Sequence, residues 1–344
     1  MFSVKAPGGG DKLINDHQPR RTKFGGTPIV APSMDNVCAA AERIRDVVVR
    51  TPLIPLRSYR GAEPDMLLKP ETLQPVTSFK IRGAYNWAST LTDEQRSRGL
   101  STVSAGNTAQ AVGYAARLVG ASARSRLPDT TPRAKIDAIT AYGMEPILMP
   151  GDELFDWMLS AGWENESYTF LHPWVEPLMV AGSATIGLEI HQDMPDVDTV
   201  FVSVGGGGLI CGVGSALKEL NPSVRIIAVQ PEACAPFRAS LSAGAPVWVD
   251  PQPTLCDGLG VPLVTDEMWP LLRSIVDDTV TVSEDQVKDA IRRLALDNKL
   301  VVEGAGAASV AAALSMPLSQ RGRSVCILSG GSIDGDKLAS IVHG

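Results

Sequence analysis

The sequence predicts an α/β protein of two lobes, each a parallel-rich sheet flanked by helices. Three observations carry this reading. Apolar runs of strand length alternate with stretches of helical period along most of the chain, which is the pattern of repeated βα units. One run, Thr199-Val200-Phe201-Val202-Ser203-Val204, passes straight into Gly205-Gly206-Gly207-Gly208, and a helix opens at Leu209. A separate series over residues 98–176 repeats strand, turn and helix by itself, which predicts a smaller sheet of its own. The 344 residues also exceed what one hydrophobic core usually organises.

Composition narrows the function classes. The chain is 44% hydrophobic and 20% charged, so it holds enough apolar mass for two cores. Its net charge of −7, with no basic stripe, argues against nucleic acid and anionic membrane, because phosphates need a basic face. Cys38, Cys211, Cys234, Cys256 and Cys326 are odd in number and include no Cys-x-x-Cys pair. Neither a disulfide framework nor a structural zinc site is expected, and a reducing, cytoplasmic compartment is. No apolar run reaches the roughly 18 residues of a membrane span. The N-terminus also lacks the apolar segment of a secretion signal.

In chain order, residues 1–33 are rich in Gly, Pro and charge and read as a flexible arm. Residues 34–97 and 177–344 form the large domain, and 98–176 the small lobe. Pro32-Ser33 starts a helix whose apolar positions Val37, Ala40, Ile44, Val47 and Val48 fall on one face. Thr51 to Leu56 and Met66 to Pro70 are extended. A helix to about Leu91 follows Lys80. Ser101 to Ser104 is a strand, Ala105-Gly106-Asn107-Thr108 a tight turn, and Ala109 to Val119 a small-residue helix. Pro132 sits early in the next helix, Gly143 ends it, and Glu145 to Met149 is a strand. Ala121 to Leu127 carries Arg124 and Arg126 where a parallel strand should be apolar, which predicts an edge position or loose packing. Ala181 to Ile190 is a helix, Val224 to Val229 a strand, and Thr279 to Val282 a half-buried strand capped by Ser283 into the next helix. Ala305 to Ser315 is a helix, and Val325 to Leu328 is the last strand, ending in Ser329-Gly330-Gly331.

Three features carry chemistry. Four glycines between a buried strand and a helix let backbone N–H groups converge on one anion. The spacing fits neither a P-loop nor a dinucleotide fingerprint, so it suits a single phosphate monoester. The Asn107 turn is a second anion site at a helix start. Lys80 stands between Phe79 and Ile81, where lost hydration eases deprotonation, and a neutral amine can form a Schiff base with an aldehyde. An aldehyde and one phosphate together point to pyridoxal 5′-phosphate.

Six segments then resemble one family. They are Ser78-Phe79-Lys80-Ile81-Arg82-Gly83-Ala84, Ser104-Ala105-Gly106-Asn107, Gly205 to Gly208, Asp257-Gly258, Val302-Glu303 with Gly306-Ala307, and Ser329-Gly330-Gly331. In this order they resemble the threonine/serine dehydratases (ammonia-lyases), which are serine racemase-like, fold-type II pyridoxal-phosphate enzymes with a tryptophan synthase β-like fold. The resemblance implies that Lys80 joins the cofactor and acts as the base at the substrate Cα, with Ser104 counted beside it as catalytic. It implies that Phe79 lies against the ring, Asn107 bonds the ring hydroxyl, and Ser329 faces the ring nitrogen. Gly205, Gly206, Gly207, Gly208 and Leu209 would hold the phosphate, and Glu303 would lie near the cofactor. Ser104, Ala105, Gly106, Asn107 and Thr108 would take the carboxylate of a small amino-acid substrate.

The implied reaction is β-elimination of the hydroxyl of a substrate such as serine or threonine, giving a 2-oxo acid and ammonia. A serine at the ring nitrogen, rather than a carboxylate, suits elimination better than transamination. Racemases carry a second serine where this chain has Ala105, which ranks racemisation lower. Gly151 to Asp156 also looks more like the dehydratase form. Thr108 and Ser332 depart from the usual His and Asn. Gln230 and Pro236 stand where some relatives hold a divalent cation, so no metal is expected. No regulatory domain and no isoleucine-type feedback are expected. A lyase for a bulkier or more acidic 3-hydroxy amino acid, a racemase and a silent binding protein are the alternatives. A homodimer or homotetramer is implied. The four histidines show no ligand spacing, and His172 is expected at the junction of the lobes.

Overall fold

A computed structural model of the chain describes residues 23–24, 26–58 and 61–343. Among them lie the strands β1 (Ile54–Ser58), β2 (Gly61–Pro70), β3 (Leu100–Val103), β4 (Ala123–Pro128), β5 (Met144–Met149), β6 (Thr169–Phe170), β7 (Thr199–Ser203), β8 (Arg225–Pro231), β9 (Asp278–Val282) and β10 (Ser324–Leu328). They form a six-stranded sheet in the order β1-β2-β10-β7-β8-β9 and a four-stranded sheet in the order β5-β4-β3-β6. Only β1 and β2 pair antiparallel; every other pairing is parallel. The middle strands β7 and β10 are buried along their whole length, because helices cover both faces of the sheet. No helix of the described residues is long and apolar enough to cross a membrane.

The helix that begins at Lys80, Lys80–Ser89, lies directly on the helix Pro177–Asp193. Two glycines permit this approach. A Cβ on Gly83 would stand 2.8 Å from the Met179 Cα, and one on Gly182 would stand 2.6 Å from the Gly83 Cα. Any side chain at either position would push the two helices apart.

Beneath this contact lies a closed network of charge. The fully buried Arg82 donates from Nε to Glu71 at 2.7 Å and from Nη1 to Glu189 at 2.7 Å. Lys69 Nζ donates to Glu189 and to the Thr51 carbonyl, both at 2.5 Å. Burial alone would raise the Glu71 carboxyl, but the adjacent Arg82 guanidinium, with the Thr51 hydroxyl and Lys69, more than offsets it and holds the group below the usual carboxylate range. Burial lowers the Lys69 amine, and Glu189 only partly restores it. Two cations and two carboxylates thus neutralise one another where water cannot.

Two expectations are corrected. β4 is no edge strand, since β3 flanks it on one side and β5 on the other. Its residues alternate, with Ala123, Ser125 and Leu127 buried and Arg124 and Arg126 on the other face. Both arginines pair with the buried carboxylate of Glu166. Their guanidinium groups also lie over rings, Arg124 at 3.8 Å from the Tyr168 centroid and Arg126 at 4.7 Å from that of Trp157. The planar guanidinium stacks on aromatic faces, so this side of the strand is covered by an arginine–aromatic layer instead of aliphatic side chains.

The arm is also not loose throughout. Phe24 and Ile29 are buried, and their N–H groups donate to Glu267, to the carboxylate at 2.9 Å and the carbonyl at 2.8 Å respectively. The remainder of the expected arm, residues 1–22 and 25, lies outside the described residues.

Removing Arg82 leaves Glu71 and Glu189 without their shared guanidinium in a dry site. Arg82→Ala is therefore expected to cost on the order of 3–5 kcal/mol, seen as a lower urea midpoint at unchanged slope. A loss below about 1 kcal/mol, the range of exposed pairs, would show that water reaches the network.

Candidate active site

Every residue expected from the sequence to bind or react lines one cavity of about 750 Å³: Lys80 and Phe79, the Ser104–Thr108 turn, the glycine loop with Leu209, Glu303 and Ser329. Backbone pairing brings them together. The Phe79 N–H donates to the Ser329 carbonyl at 3.0 Å, and the Gly331 N–H to the Thr77 carbonyl at 2.8 Å. Ser78 and Gly330 form an isolated bridge between these strands of backbone. The lysine loop is thereby fixed to the end of β10, which carries Ser329.

Lys80 is partly buried, and its amine stands 4.8 Å from the Phe79 ring centroid. Loss of hydration pushes the amine down to about 8, with the charge of Glu303 drawing it partly back. A usable fraction of neutral amine therefore exists near physiological pH. Glu303 moves the opposite way. Burial and then Asp257 push its carboxyl up to about 7, against the hydrogen bond from Asn107 and the charges of Lys135 and Lys80.

The glycine loop divides by role. Gly207 takes φ +95°, and a Cβ there would stand 2.9 Å from Leu272 Cδ1. A Cβ on Gly206 would stand 2.7 Å from Trp174 Cδ1. A Cβ on Gly208 would meet nothing within 4 Å, so this position opens on the cavity. Gly208 also begins the helix Gly208–Leu220, whose first N–H groups have no partner inside the helix. The result is a concave, donor-lined seat for an anion.

The second anion seat sits at the start of helix Asn107–Leu118, which begins two residues earlier than the sequence pattern indicated. Ser125 on β4 shapes it. Its hydroxyl accepts from the Ser104 N–H at 3.0 Å and donates to the Ser104 carbonyl at 2.8 Å. The Gly106 N–H donates to Ser104 Oγ at 3.2 Å. Asn107 Nδ2 donates to Glu303 Oε1 at 2.8 Å, and Asn107 Oδ1 is buried without a partner.

Some cavity residues were not foreseen. Lys135 reaches Asp257 at 2.7 Å across the cavity wall, and no sequence signal marks Lys135, which rides an ordinary amphipathic helix. Thr77 adopts φ +55°, an outlier for a β-branched residue, and its hydroxyl lies 3.0 Å from that of Ser332. His172 is buried among aromatic rings, its Nδ1 accepting from the Trp174 and Val175 N–H groups, and burial pushes it down to about 4. Its ring meets that of Trp174 edge-on, and Trp174 faces the glycine loop.

These features fit a small anionic aldehyde. The open position at Gly208 admits a phosphate, the softened Lys80 amine suits the aldehyde, and the unpartnered Asn107 oxygen leaves room for a ring substituent.

Comparison with known proteins agrees. The family described as "Pyridoxal-phosphate dependent enzyme" matches residues 44–330. An L-threonine ammonia-lyase of Thermotoga maritima is 41% identical over 317 residues, covering 90% of this chain and 78% of that protein. A catabolic L-threonine dehydratase of Escherichia coli is 37% identical over 316 residues, covering 90% and 95%. Among solved structures, the processed form of threonine deaminase isoform 2 from Solanum lycopersicum has a TM-score of 0.80 at 31% identity, over 92% of this chain and 95% of that one. Maize serine racemase has a TM-score of 0.82 at 31% identity, over 91% and 98%.

The division of the glycine loop predicts different outcomes at neighbouring positions. Gly207→Ala forces a side chain into the left-handed region and against Leu272, and is expected to lower stability by at least about 1–2 kcal/mol in thermal or urea unfolding. Gly208→Ala should leave stability unchanged while weakening the binding of inorganic phosphate several-fold in calorimetry. Equal destabilisation by the two variants would refute the cradle.

Proposed function

The chain belongs to the pyridoxal-phosphate dependent enzyme family, and on that premise we propose that it deaminates L-threonine or a closely related β-hydroxy amino acid by β-elimination. The observation that carries this is the meeting, in one cavity, of the softened Lys80 amine with the anion seats at Gly208 and Asn107. When bound, pyridoxal phosphate supplies an aldehyde for the substrate amino group and a ring that accepts the electrons left by the departing Cα proton.

The chain's own residues do the rest. The loop from Gly205 to Leu209 holds the phosphate with backbone N–H groups. Phe79 would back the ring, Asn107 would meet its oxygen, and the Ser329 hydroxyl would serve its nitrogen, all three being residues of the cavity lining. The Ser104 to Thr108 turn takes the substrate carboxylate at the helix start, which fixes the Cα–H bond toward Lys80. Lys80 Nζ takes the Cα proton, and the same proton goes to the leaving β-hydroxyl, which departs as water. Lys80 would then reclaim the cofactor, and the freed enamine shifts a proton to become an imine, which takes up water and splits into a 2-oxo acid and ammonia. Ala105 has no proton to give, so the position where racemases carry a second serine supplies no acid for the opposite face of Cα. This favours elimination over racemisation, despite the likeness to serine racemase.

We assign residues 34–97 and 177–344 to the large domain and 98–176 to the small lobe, a division supported by the membership of the two sheets. The free cysteines support a cytoplasmic location. A homodimer or homotetramer is the proposed assembly.

Ammonia release from a panel of hydroxy amino acids tests the activity, and chiral analysis of unreacted substrate tests for racemisation. Lys80→Ala is expected to lose both the yellow colour of the bound cofactor and the turnover. A variant that keeps turnover would remove Lys80 from the reaction.

A further inference from the structure

Glu303 is the N-cap of helix Gly304–Ser315, yet its side chain makes no capping hydrogen bond. It turns instead to Asn107, 2.8 Å away, on the other wall of the cavity. The backbone at Gly330 closes over this contact: a Cβ there would stand 3.0 Å from Asn107 Nδ2 and would strike Glu303 Oε1. Gly330 thus covers one side of the pair, and the Asn107 amide also borders the cavity.

The chemistry of the two groups then couples a proton to an orientation. A carboxylate can only accept, so an ionised Glu303 takes the Asn107 Nδ2–H and leaves Oδ1 buried with no partner, which is the arrangement observed. A carboxylic acid can donate. Turned over, the nearly isosteric amide gives Oδ1 to Glu303 and presents Nδ2–H where the unpartnered oxygen now lies. The hydroxyl of a 3-hydroxypyridine is acidic, and its anionic form needs a donor.

We propose that Glu303 is a positioning residue that acts as a neutral carboxylic acid in the loaded protein, its proton turning the Asn107 amide so that Nδ2–H faces the cofactor ring oxygen. This rests on the pyridoxal-phosphate reading above. The surroundings favour it. Burial and Asp257 push Glu303 up to about 7, while Asn107, Lys135 and Lys80 pull it down. The helix start behind Glu303 also favours the anion. The neighbouring Cys256 thiol is pushed up to about 12 by burial and Glu284, so it brings no charge at neutral pH. The cofactor phosphate adds negative charge to the cavity, so loading the site raises Glu303 further. Lys135 stays paired to Asp257 at 2.7 Å, which limits its pull.

The test is the pyridoxal phosphate dissociation constant of the full-length protein, measured between pH 6 and 9 by equilibrium dialysis. Wild type, Glu303→Gln and Asn107→Ala are compared, each with a circular dichroism check of folding. Glutamine donates to Asn107 Oδ1 at every pH, so it mimics the neutral acid without titrating. The ratio of wild-type to Glu303→Gln dissociation constants is expected to rise by up to about tenfold per pH unit above about 7. Lys80 titrates in both proteins, lower in Glu303→Gln because the Glu303 charge that raises it is gone, so its titration is measured in each protein and divided out of the ratio. Asn107→Ala should bind more weakly throughout and lose this steepening. A ratio that stays flat overturns the proposal. So does an unchanged steepening in Asn107→Ala, which would mean that Glu303 acts on the cofactor by charge alone and also decides the matter should Glu303→Gln fail to fold. A wild type that takes up no cofactor at any pH overturns the underlying reading, and this inference with it.

Discussion

The position of Lys80 depends on a neutral cluster of buried charge two residues away. Arg82 leaves the same helix and spends its guanidinium on Glu71 and Glu189, while Lys69 completes the balance at Glu189. Glu71 follows β2, and Glu189 belongs to the helix Pro177–Asp193. One side chain therefore ties the lysine helix to a strand end and to a central helix together. An apolar contact could match its energy but would tolerate sliding. A bidentate ion pair in a dry site fixes both distance and rotation. That rigidity sets where the Lys80 amine meets the cavity, and the facing glycines Gly83 and Gly182 determine how closely.

The site itself is poised by opposing displacements. Lys80 is drawn down toward neutrality, and Glu303 is drawn up toward it. The same dry enclosure causes both, since each charge is costly there without a close opposite partner. Each group is thereby held nearer its neutral form than it would be in water.

Much of this was legible in the sequence because the relevant signals are local. Strands β7 and β10 read as apolar runs, and the glycine loop and the Lys80 segment are contiguous. Each residue assigned to the cavity lies in a short block whose neighbours define its backbone. The misread places share a different property, which is a partner far along the chain. Arg124 and Arg126 looked wrong for an interior strand because Glu166 and the rings of Trp157 and Tyr168 come tens of residues later. Phe24 looked like part of a loose arm because Glu267 completes its hydrogen bonding. Nothing in the sequence marks Lys135, because its partner Asp257 lies 122 residues away. The Asn107 helix began early because Gly106 acts as its cap, and no side-chain cap announces it.

The contact between Trp174 and the glycine loop has a practical meaning. Of six tryptophans in the chain, this one lines the cavity and touches Gly206, beside the phosphate seat. Tryptophan emission overlaps the near-ultraviolet absorption of a pyridoxal chromophore. Energy absorbed by the indole can therefore pass to a ring bound in the same cavity instead of being emitted. The protein carries an internal optical gauge of its own loading, readable in dilute solution without label or turnover.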